Sequence, residues 1–189
     1  MKKSLVLFVS IIYFNTMLAQ TIVDFKKPIK IRDWHVIDDV VMGGRSAGQF
    51  SLTNYGYAIY SGMVSLENRG GFSSLRCALP PLMVSPKDRI QIHLKGDGKQ
   101  YQFLVKADQK HQHNYRLPFK TTGNWETIDL KLGDLVPSFR GKTLDIPNFS
   151  HRWITELGFL IGNKTAERFQ LCIASIKVIS KEDISTVPR

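Results

Sequence analysis

Two sets of residues in this chain could take part in chemistry by their types and spacing. Asp38 and Asp39 are adjacent carboxylates that could act as acid and base, and His111 and His113 could place two imidazoles on one face of a strand. Neighbouring side chains on an extended segment point to opposite faces, so the aspartates could share one substrate only if the chain turns there. We therefore expect one aspartate to accept backbone N–H bonds from a turn at residues 42–44.

The histidine pair is explained equally well as the polar tip of a hairpin. No third ligand follows His113 nearby, and two ligands alone are a weak indication of a metal site. The chain also lacks the serine-hydrolase elbow, the zinc-protease helix motif, the phosphate loop and the dinucleotide fingerprint. The sequence therefore predicts no catalytic residue, no metal and no cofactor, which indicates a protein that is not an enzyme.

Residues 34–76 contain two diglycine pairs, each followed by a polar stretch with an arginine. Glycine loses the most conformational freedom on folding, so such pairs are expected where backbones approach closely or φ is positive. We assign a structural role to the residues around these pairs, which are Met42, Gly43, Gly44, Gly70, Gly71 and Phe72.

Six residues are candidates for contacting a ligand or partner, namely Trp34, Asp38, Arg45, Asn68, Ser74 and Arg76. Ser74 and Arg76 alternate with Leu75 and Cys77, so they are expected on the non-core side of a sheet. Two structural alternatives stay open. The Arg76 guanidinium could pair with Asp38 or Asp39, and Trp34 could belong to the core.

The order of these motifs resembles the signature of the complex I intermediate-associated protein 30 family. That signature has a Trp and an Asp-x-Val-Met-Gly-Gly-x-Ser segment, then Gly-x-Val-Ser, then Asn-x-Gly-Gly-Phe-x-Ser-x-Arg, which here occupy residues 34–46, 62–65 and 68–76. The resemblance extends to about Ile179. It departs at residues 130–132, where the family usually continues with a Trp-x-x-Val-x-Leu-Pro-Phe run, and at residues 167–168, where Gly-Pro is common.

The resemblance implies an all-β, two-sheet antiparallel jelly-roll sandwich of the galactose-binding-domain-like type. It also implies a non-catalytic binding module that assembles or chaperones a protein complex, the respiratory NADH dehydrogenase in family members. The expected partner is a protein client. The alternative is an exported carbohydrate-binding module, for which fold-level analogy and the available aromatic residues are the support. The oligomeric state stays open.

Alternation of apolar and polar residues supports the same fold class. Residues 90–94 and 101–107 alternate with period two, and other short apolar runs are separated by turn residues, as in a two-sheet sandwich. In the last run the apolar phase slips by one residue, which predicts a bulge near Ser175. We expect a single domain over residues 20–180 and a polar tail over residues 181–189.

The amino terminus has the features of a secretory signal peptide over residues 1–19, with Lys2 and Lys3 before an apolar core that is too short to span a bilayer. This pattern predicts an exported protein, periplasmic or secreted, with no membrane span after cleavage. The formal net charge is +10, but the basic residues are dispersed, so nucleic acid is not an expected partner. Cys77 and Cys172 differ in strand parity, which favours free thiols while leaving a bridge open.

Overall fold

The computed structural model describes residues 17–28 and 31–181, which form an all-β sandwich of two antiparallel sheets. No α-helix occurs in these residues, and the few helical turns are short 3₁₀ segments. The predicted fold class is confirmed. The strands of the described part, in chain order, are β1 (Met17–Asp24), β2 (Trp34–Asp38), β3 (Ala47–Leu52), β4 (Ala58–Val64), β5 (Ser73–Met83), β6 (Arg89–Lys95), β7 (Gln100–Lys106), β8 (Asn114–Lys120), β9 (Trp125–Lys131), β10 (Val136–Phe139), β11 (Lys142–Thr143), β12 (Trp153–Ile161) and β13 (Glu167–Lys181).

The strands divide into a six-stranded and a seven-stranded sheet. The six-stranded sheet has the order β3-β4-β13-β6-β9, with β1 also paired to β13, and the seven-stranded sheet has the order β11-β10-β8-β7-β12-β5-β2. Strand β13 changes register against β6 between Ile173 and Ser175. This irregularity confirms the bulge predicted near Ser175, and it lets one long strand pair with β4 in its first half and with β1 in its second.

The inner faces of the two sheets form the hydrophobic core. Tyr60, Tyr101, Phe103 and Phe159 are fully buried, as the alternation in their strands requires. Trp34 also lies in the core, with its ring centroid 5.1 Å from Phe50 in a stacked arrangement and 5.6 Å from Phe25. Burying one large apolar side chain contributes about 1.5–3 kcal/mol, so these rings are a major part of the stability of the sandwich.

Several predicted features fall at the ends of the chain. Residues 1–16 of the predicted signal peptide lie outside the described residues, and residues 17–19 are the first residues of β1. Residues 182–189 of the predicted tail also lie outside. Cys77 and Cys172 are both buried and free, and burial raises the pKa of the Cys77 thiol to about 12. Across residues 17–28 and 31–181, no helix has the length and apolar character needed to cross a membrane.

Candidate functional site

The first diglycine pair closes a tight turn after strand β2. Residues Asp39–Met42 form a single 3₁₀ turn, and Gly43 follows with a φ of 90°, in the left-handed region. The Gly43 N–H donates to the Val40 carbonyl at 2.9 Å, and the Gly44 N–H donates to the Asp39 carbonyl at 3.0 Å. This turn directs the Asp39 side chain into the protein and the next three side chains outwards.

The Asp39 carboxylate is fully buried and joins the two diglycine segments. It accepts hydrogen bonds from the Ser46 N–H at 2.9 Å and the Ser46 hydroxyl at 2.5 Å, and from the N–H groups of Gly71 at 2.6 Å and Phe72 at 3.2 Å. The Ser46 hydroxyl in turn accepts from the Ser65 N–H at 3.0 Å. We call Asp39, Ser46, Gly71 and Phe72 the carboxylate clasp, because these bonds hold together segments more than thirty residues apart.

Each diglycine pair supplies one glycine for space and one for backbone conformation. A Cβ on Gly44 would lie 2.3 Å from Asp39 Oδ1, and a Cβ on Gly70 would lie 2.6 Å from Asp39 Oδ2. Gly43 and Gly71 instead have positive φ values of 90° and 139°, which L-residues with side chains rarely adopt. The pairs are therefore explained by the close approach of two backbones to one carboxylate.

The hydrogen bonds of the clasp keep Asp39 ionised. Burial by itself raises the pKa of this carboxyl, but the bonds donated by Ser46, Gly71 and Phe72 outweigh it and hold the pKa below its usual value. A buried carboxylate with its donors already in place has a structural role. The expectation that an aspartate side chain caps the turn at residues 42–44 is wrong: the Asp39 main chain closes the turn, while its side chain accepts from residues 46, 71 and 72.

Asp38, a predicted ligand contact, also ties strands together. Its carboxylate accepts from the Gly48 N–H on β3 at 2.8 Å and from the Ser73 hydroxyl on β5. The Tyr60 hydroxyl then donates to the Ser73 oxygen at 2.8 Å. The two adjacent aspartates therefore bond to different partners, and the arrangement does not place them as a catalytic pair.

Three apolar side chains stand in solvent on the outer side of the turn. Val40, Val41 and Met42 are 59%, 74% and 60% exposed, and we call these three residues the apolar tip. A single exposed apolar side chain is ordinary, but a consecutive group of three makes this turn a candidate interaction surface. The predicted contact residue Arg45 lies beside the tip, where it forms an exposed ion pair with Glu67 at 3.0 Å.

Asn68, another predicted contact residue, is exposed in the 3₁₀ turn Glu67–Arg69 next to the second diglycine pair. Its φ of 54° lies in the left-handed region, which asparagine tolerates better than most residues. Arg45 and Asn68 are therefore exposed beside the two diglycine pairs, whereas Trp34 lies in the core.

Arg76 and Ser74 form a separate polar cluster on the outer face of the seven-stranded sheet. The Arg76 guanidinium forms an ion pair with Glu156 at 3.0 Å, donates to Asn114 Oδ1 at 3.1 Å, and donates through Nε to the Ser74 hydroxyl at 2.8 Å. Gly158 lies opposite Arg76 in the register, and a Cβ there would lie 2.7 Å from Arg76 Cδ. The absence of a side chain at Gly158 lets the arginine lie flat across the sheet.

The alternative prediction that Arg76 pairs with Asp38 or Asp39 is wrong. Asp38 lies opposite Ser73 in the β2–β5 register and bonds to the Ser73 side chain, so it faces the side of β5 opposite to Ser74 and Arg76. The actual partner, Glu156, is 80 residues away in sequence. The position of Ser74 and Arg76 on the non-core face is as predicted.

The histidine pair at residues 111 and 113 meets a third histidine in the structure. The rings of His111 and His113 stack with centroids 5.1 Å apart, and His151 lies 5.8 Å from His111 and bonds to the Tyr115 hydroxyl at 2.8 Å. Burial, together with the neighbouring His111, lowers the pKa of both His113 and His151. In the described part of the chain, no group of three or more His, Cys, Asp or Glu residues has the arrangement of a metal site.

Comparison with known families identifies the family that contains this chain. Residues 23–173 match the family described as complex I intermediate-associated protein 30. This chain belongs to that family. The predicted resemblance is confirmed, and the matched span includes both diglycine segments, the apolar tip and the Arg76 cluster.

A curated member of the complex I intermediate-associated protein 30 family corrects one prediction. The mitochondrial protein of that name from Neurospora crassa is 26% identical over 137 residues, which are 62% of this chain and 49% of that protein. The chain thus spans about half the length of this relative. Because the relative is a mitochondrial protein, the prediction that this chain is exported, periplasmic or secreted, is wrong: the amino-terminal pattern by itself was not sufficient for that conclusion.

Solved structures of similar fold include a carbohydrate-binding module and an agarase. A family 11 carbohydrate-binding module from Clostridium thermocellum, in complex with a β-1,3-1,4-mixed-linked tetrasaccharide, has a TM-score of 0.63 at 14% identity and covers 85% of this chain and 94% of its own. An exo-β-agarase has a TM-score of 0.52 at 12% identity and covers 84% of this chain and 24% of its own. At these identities the likeness shows the fold alone.

Proposed function

We propose that this chain is a non-catalytic module that binds a protein client during assembly of the respiratory NADH dehydrogenase. The observation that carries the proposal is the apolar tip, in which three consecutive apolar side chains are held in solvent by a buried carboxylate. Exposed apolar side chains are unfavourable in an isolated domain, and a partner that covers them removes this cost. A protein partner with an apolar groove would complement the apolar tip.

The clasp makes the tip suitable for binding. Binding usually costs conformational entropy when a loop must become ordered, and this cost is smaller when the loop is already fixed. Four hydrogen bonds to one buried carboxylate fix this turn before any partner arrives. The exposed Arg45–Glu67 ion pair beside the tip resembles the polar rim that surrounds the apolar centre of protein interfaces.

Family membership supports the identity of the client. The Neurospora relative is named for its association with complex I intermediates, which makes a subunit or subassembly of that complex the client that we propose here. The tip contains no aromatic ring, so it does not favour the alternative that this surface stacks on sugar rings.

Replacing Val41 with aspartate is expected to impair assembly of NADH dehydrogenase in cells that depend on this chain. A charge at the most exposed position of the tip would have to be desolvated at an apolar contact, which costs several kcal/mol, so client binding should fall at least a hundredfold. The measurement is the amount of fully assembled NADH dehydrogenase on native gels of respiratory membranes.

The matched control is Met83→Asp, because Met83 is 61% exposed at the end of β5 and belongs to neither the clasp nor the tip. Both variants should keep the melting temperature of the unmodified protein to within a few degrees. Normal assembly with Val41→Asp, or equal defects in both variants, would rule out the proposed role of the tip.

A further inference from the structure

A second surface, on the outer face of the six-stranded sheet, carries a cluster of aromatic rings. The Trp125 indole stacks on the His93 imidazole with centroids 5.3 Å apart, and the Tyr57 ring meets its edge at 5.4 Å. Tyr55 stacks on Tyr57 at 6.3 Å and is 82% exposed. We call these four residues the aromatic platform.

The platform does not belong to the hydrophobic core. Trp125 lies opposite Lys95 in the β6–β9 register, on the face opposite to that of the buried Leu94 and Leu130, and it is 42% exposed. The rings that contact Trp125 come from separate elements: His93 lies on β6, and Tyr57 immediately precedes β4. Rings from three separate parts of the chain thus meet on an outer sheet face, where Tyr57 is partly buried and Tyr55, His93 and Trp125 are exposed. A binding role explains this better than a structural one.

The same sheet face continues from the platform into a polar cleft. Cys172 lies opposite Lys95, and Gln170, two residues further along β13, points to the same face. The cleft has a volume of about 670 Å³, and the polar side chains in its lining are Gln49, Ser61, Asp97, Lys99, Arg168 and Gln170.

The polar groups of the cleft include both donors and acceptors of hydrogen bonds. The Gln49 amide donates to the Ser61 hydroxyl at 3.2 Å, and Lys99 forms an ion pair with Asp97 at 2.8 Å. Gln49, Arg168 and Gln170 are exposed to solvent. Amide, guanidinium and carboxylate groups in one cleft match a ligand that carries many hydroxyls and no charge.

We propose that this face binds a neutral saccharide chain, with the Trp125 indole stacked on one sugar ring and the cleft hydrogen-bonded to the hydroxyls of the adjoining rings. A sugar ring has an apolar C–H face and a hydroxyl-bearing edge, and the face offers aromatic rings followed by polar groups in the same order. Single-stranded nucleic acid also stacks on aromatic rings, so it is the competing ligand in the binding test.

The aromatic platform is separate from the apolar tip, whereas the cleft extends to Met63 and to Ala47, which follows the clasp residue Ser46 in the sequence. Strand β4 (Ala58–Val64) has Tyr57 before its first residue and the second diglycine segment after its last. At about 3.3 Å per residue, the two ends of this strand are about 20 Å apart. Binding at the platform and client binding at the tip can therefore be tested independently.

The test is affinity electrophoresis of the full chain in gels that contain mixed-linked β-1,3-1,4-glucan, xylan, galactan or an α-glucan, followed by calorimetry with the retarding polysaccharide. At least one neutral polysaccharide should retard the protein, and Trp125→Ala should weaken that binding at least tenfold. The matched control is Trp153→Ala, because Trp153 is similarly exposed, at 45%, but lies at the start of β12 in the other sheet.

Melting temperatures check that both tryptophan variants fold. If Trp125→Ala does not fold, Tyr57→Ala is the second substitution in the platform. The proposal is supported if the polysaccharide still retards Trp153→Ala and no longer retards the platform variants. Absence of retardation by every polysaccharide, equal effects of Trp125→Ala and Trp153→Ala, or binding of oligothymidylate in place of polysaccharide would overturn it.

Discussion

Substituting Asp39 with asparagine should lower the free energy of unfolding by about 3 kcal/mol, because an amide cannot replace a buried carboxylate that accepts four hydrogen bonds. The amide offers one acceptor oxygen, and its NH₂ group would face N–H groups of the clasp. At least one donor, the Ser46 N–H, would then be buried without an acceptor. Urea unfolding at neutral pH measures the change.

The pH dependence of the same variant gives an independent check. The folded-state pKa of Asp39 lies below its usual value, so its contribution is present above the unfolded pKa of about 3.9 and is lost as the pH falls through the folded-state pKa. The unmodified protein should therefore lose stability faster than Asp39→Asn as the pH falls below about 4. The control is Asp145→Asn, at an exposed loop position, which should change stability by less than about 0.5 kcal/mol. Equal stability of Asp39→Asn and Asp145→Asn would contradict the clasp.

Substituting Gly44 with alanine should be far more damaging than the same change at its neighbour Gly43. The new Cβ at position 44 would lie 2.3 Å from Asp39 Oδ1, so the carboxylate must move and its hydrogen bonds must lengthen or break, at a cost of about 3 kcal/mol. At Gly43 nothing lies within 4 Å of the new Cβ, and only the positive φ is unfavourable, which costs about 1 kcal/mol.

The two glycine variants distinguish a glycine that is needed for space from a glycine that is needed for its positive φ. Thermal unfolding of Gly43→Ala and Gly44→Ala under one set of conditions gives the difference directly. The double variant Gly44→Ala with Asp39→Ala should lose less stability than the sum of the two single changes, because it removes Oδ1 and Cγ, the two nearest atoms to the new Cβ. Similar stabilities for Gly43→Ala and Gly44→Ala would show that backbone conformation, and not space for the carboxylate, explains the motif.

The sequence predicted the fold class because the inner strands alternate clearly. Strands β6 and β7 each bury every second side chain, so their periodicity could be identified without a structure. Strands β2 and β3 were harder to predict, because their side chains bond within the motif region and one of their residues is the glycine Gly48. Strands β10 and β11 are only four and two residues long; β10 is held by pairing with β8 and β11 by pairing with β10, which no local pattern reveals.

The site was predicted only in part, because its contacts join distant parts of the chain. Strand parity placed Arg76 on the outer face, but its partner Glu156 could not be identified from residues that far apart. By residue type, Val40 and Val41 would be predicted to lie in the core, and only the turn closed by Gly43 places them in solvent. For Trp34 the residue type allowed both core and surface positions, and the neighbouring Phe25 and Phe50 rings decide for the core.

The carboxylate clasp and the apolar tip give the family motif one combined explanation. Asp39 and Gly44 are buried against each other, and Gly70 also lies against the Asp39 carboxylate, so these residues are not exposed contact residues. The exposed residues of the motif include the apolar side chains of the tip, together with Arg45 and Asn68. In this account the polar residues set the position of the tip, and the tip makes the contact.

The most direct test places a photo-crosslinking benzoylphenylalanine at position 41 of the full chain in cells that assemble NADH dehydrogenase through it. After irradiation, mass spectrometry identifies the crosslinked protein, with the same group at position 83 as the control. The account predicts a crosslink from position 41 to a subunit of NADH dehydrogenase or of its assembly intermediates, and none from position 83. No crosslink from position 41, or the same products from both positions, would contradict it.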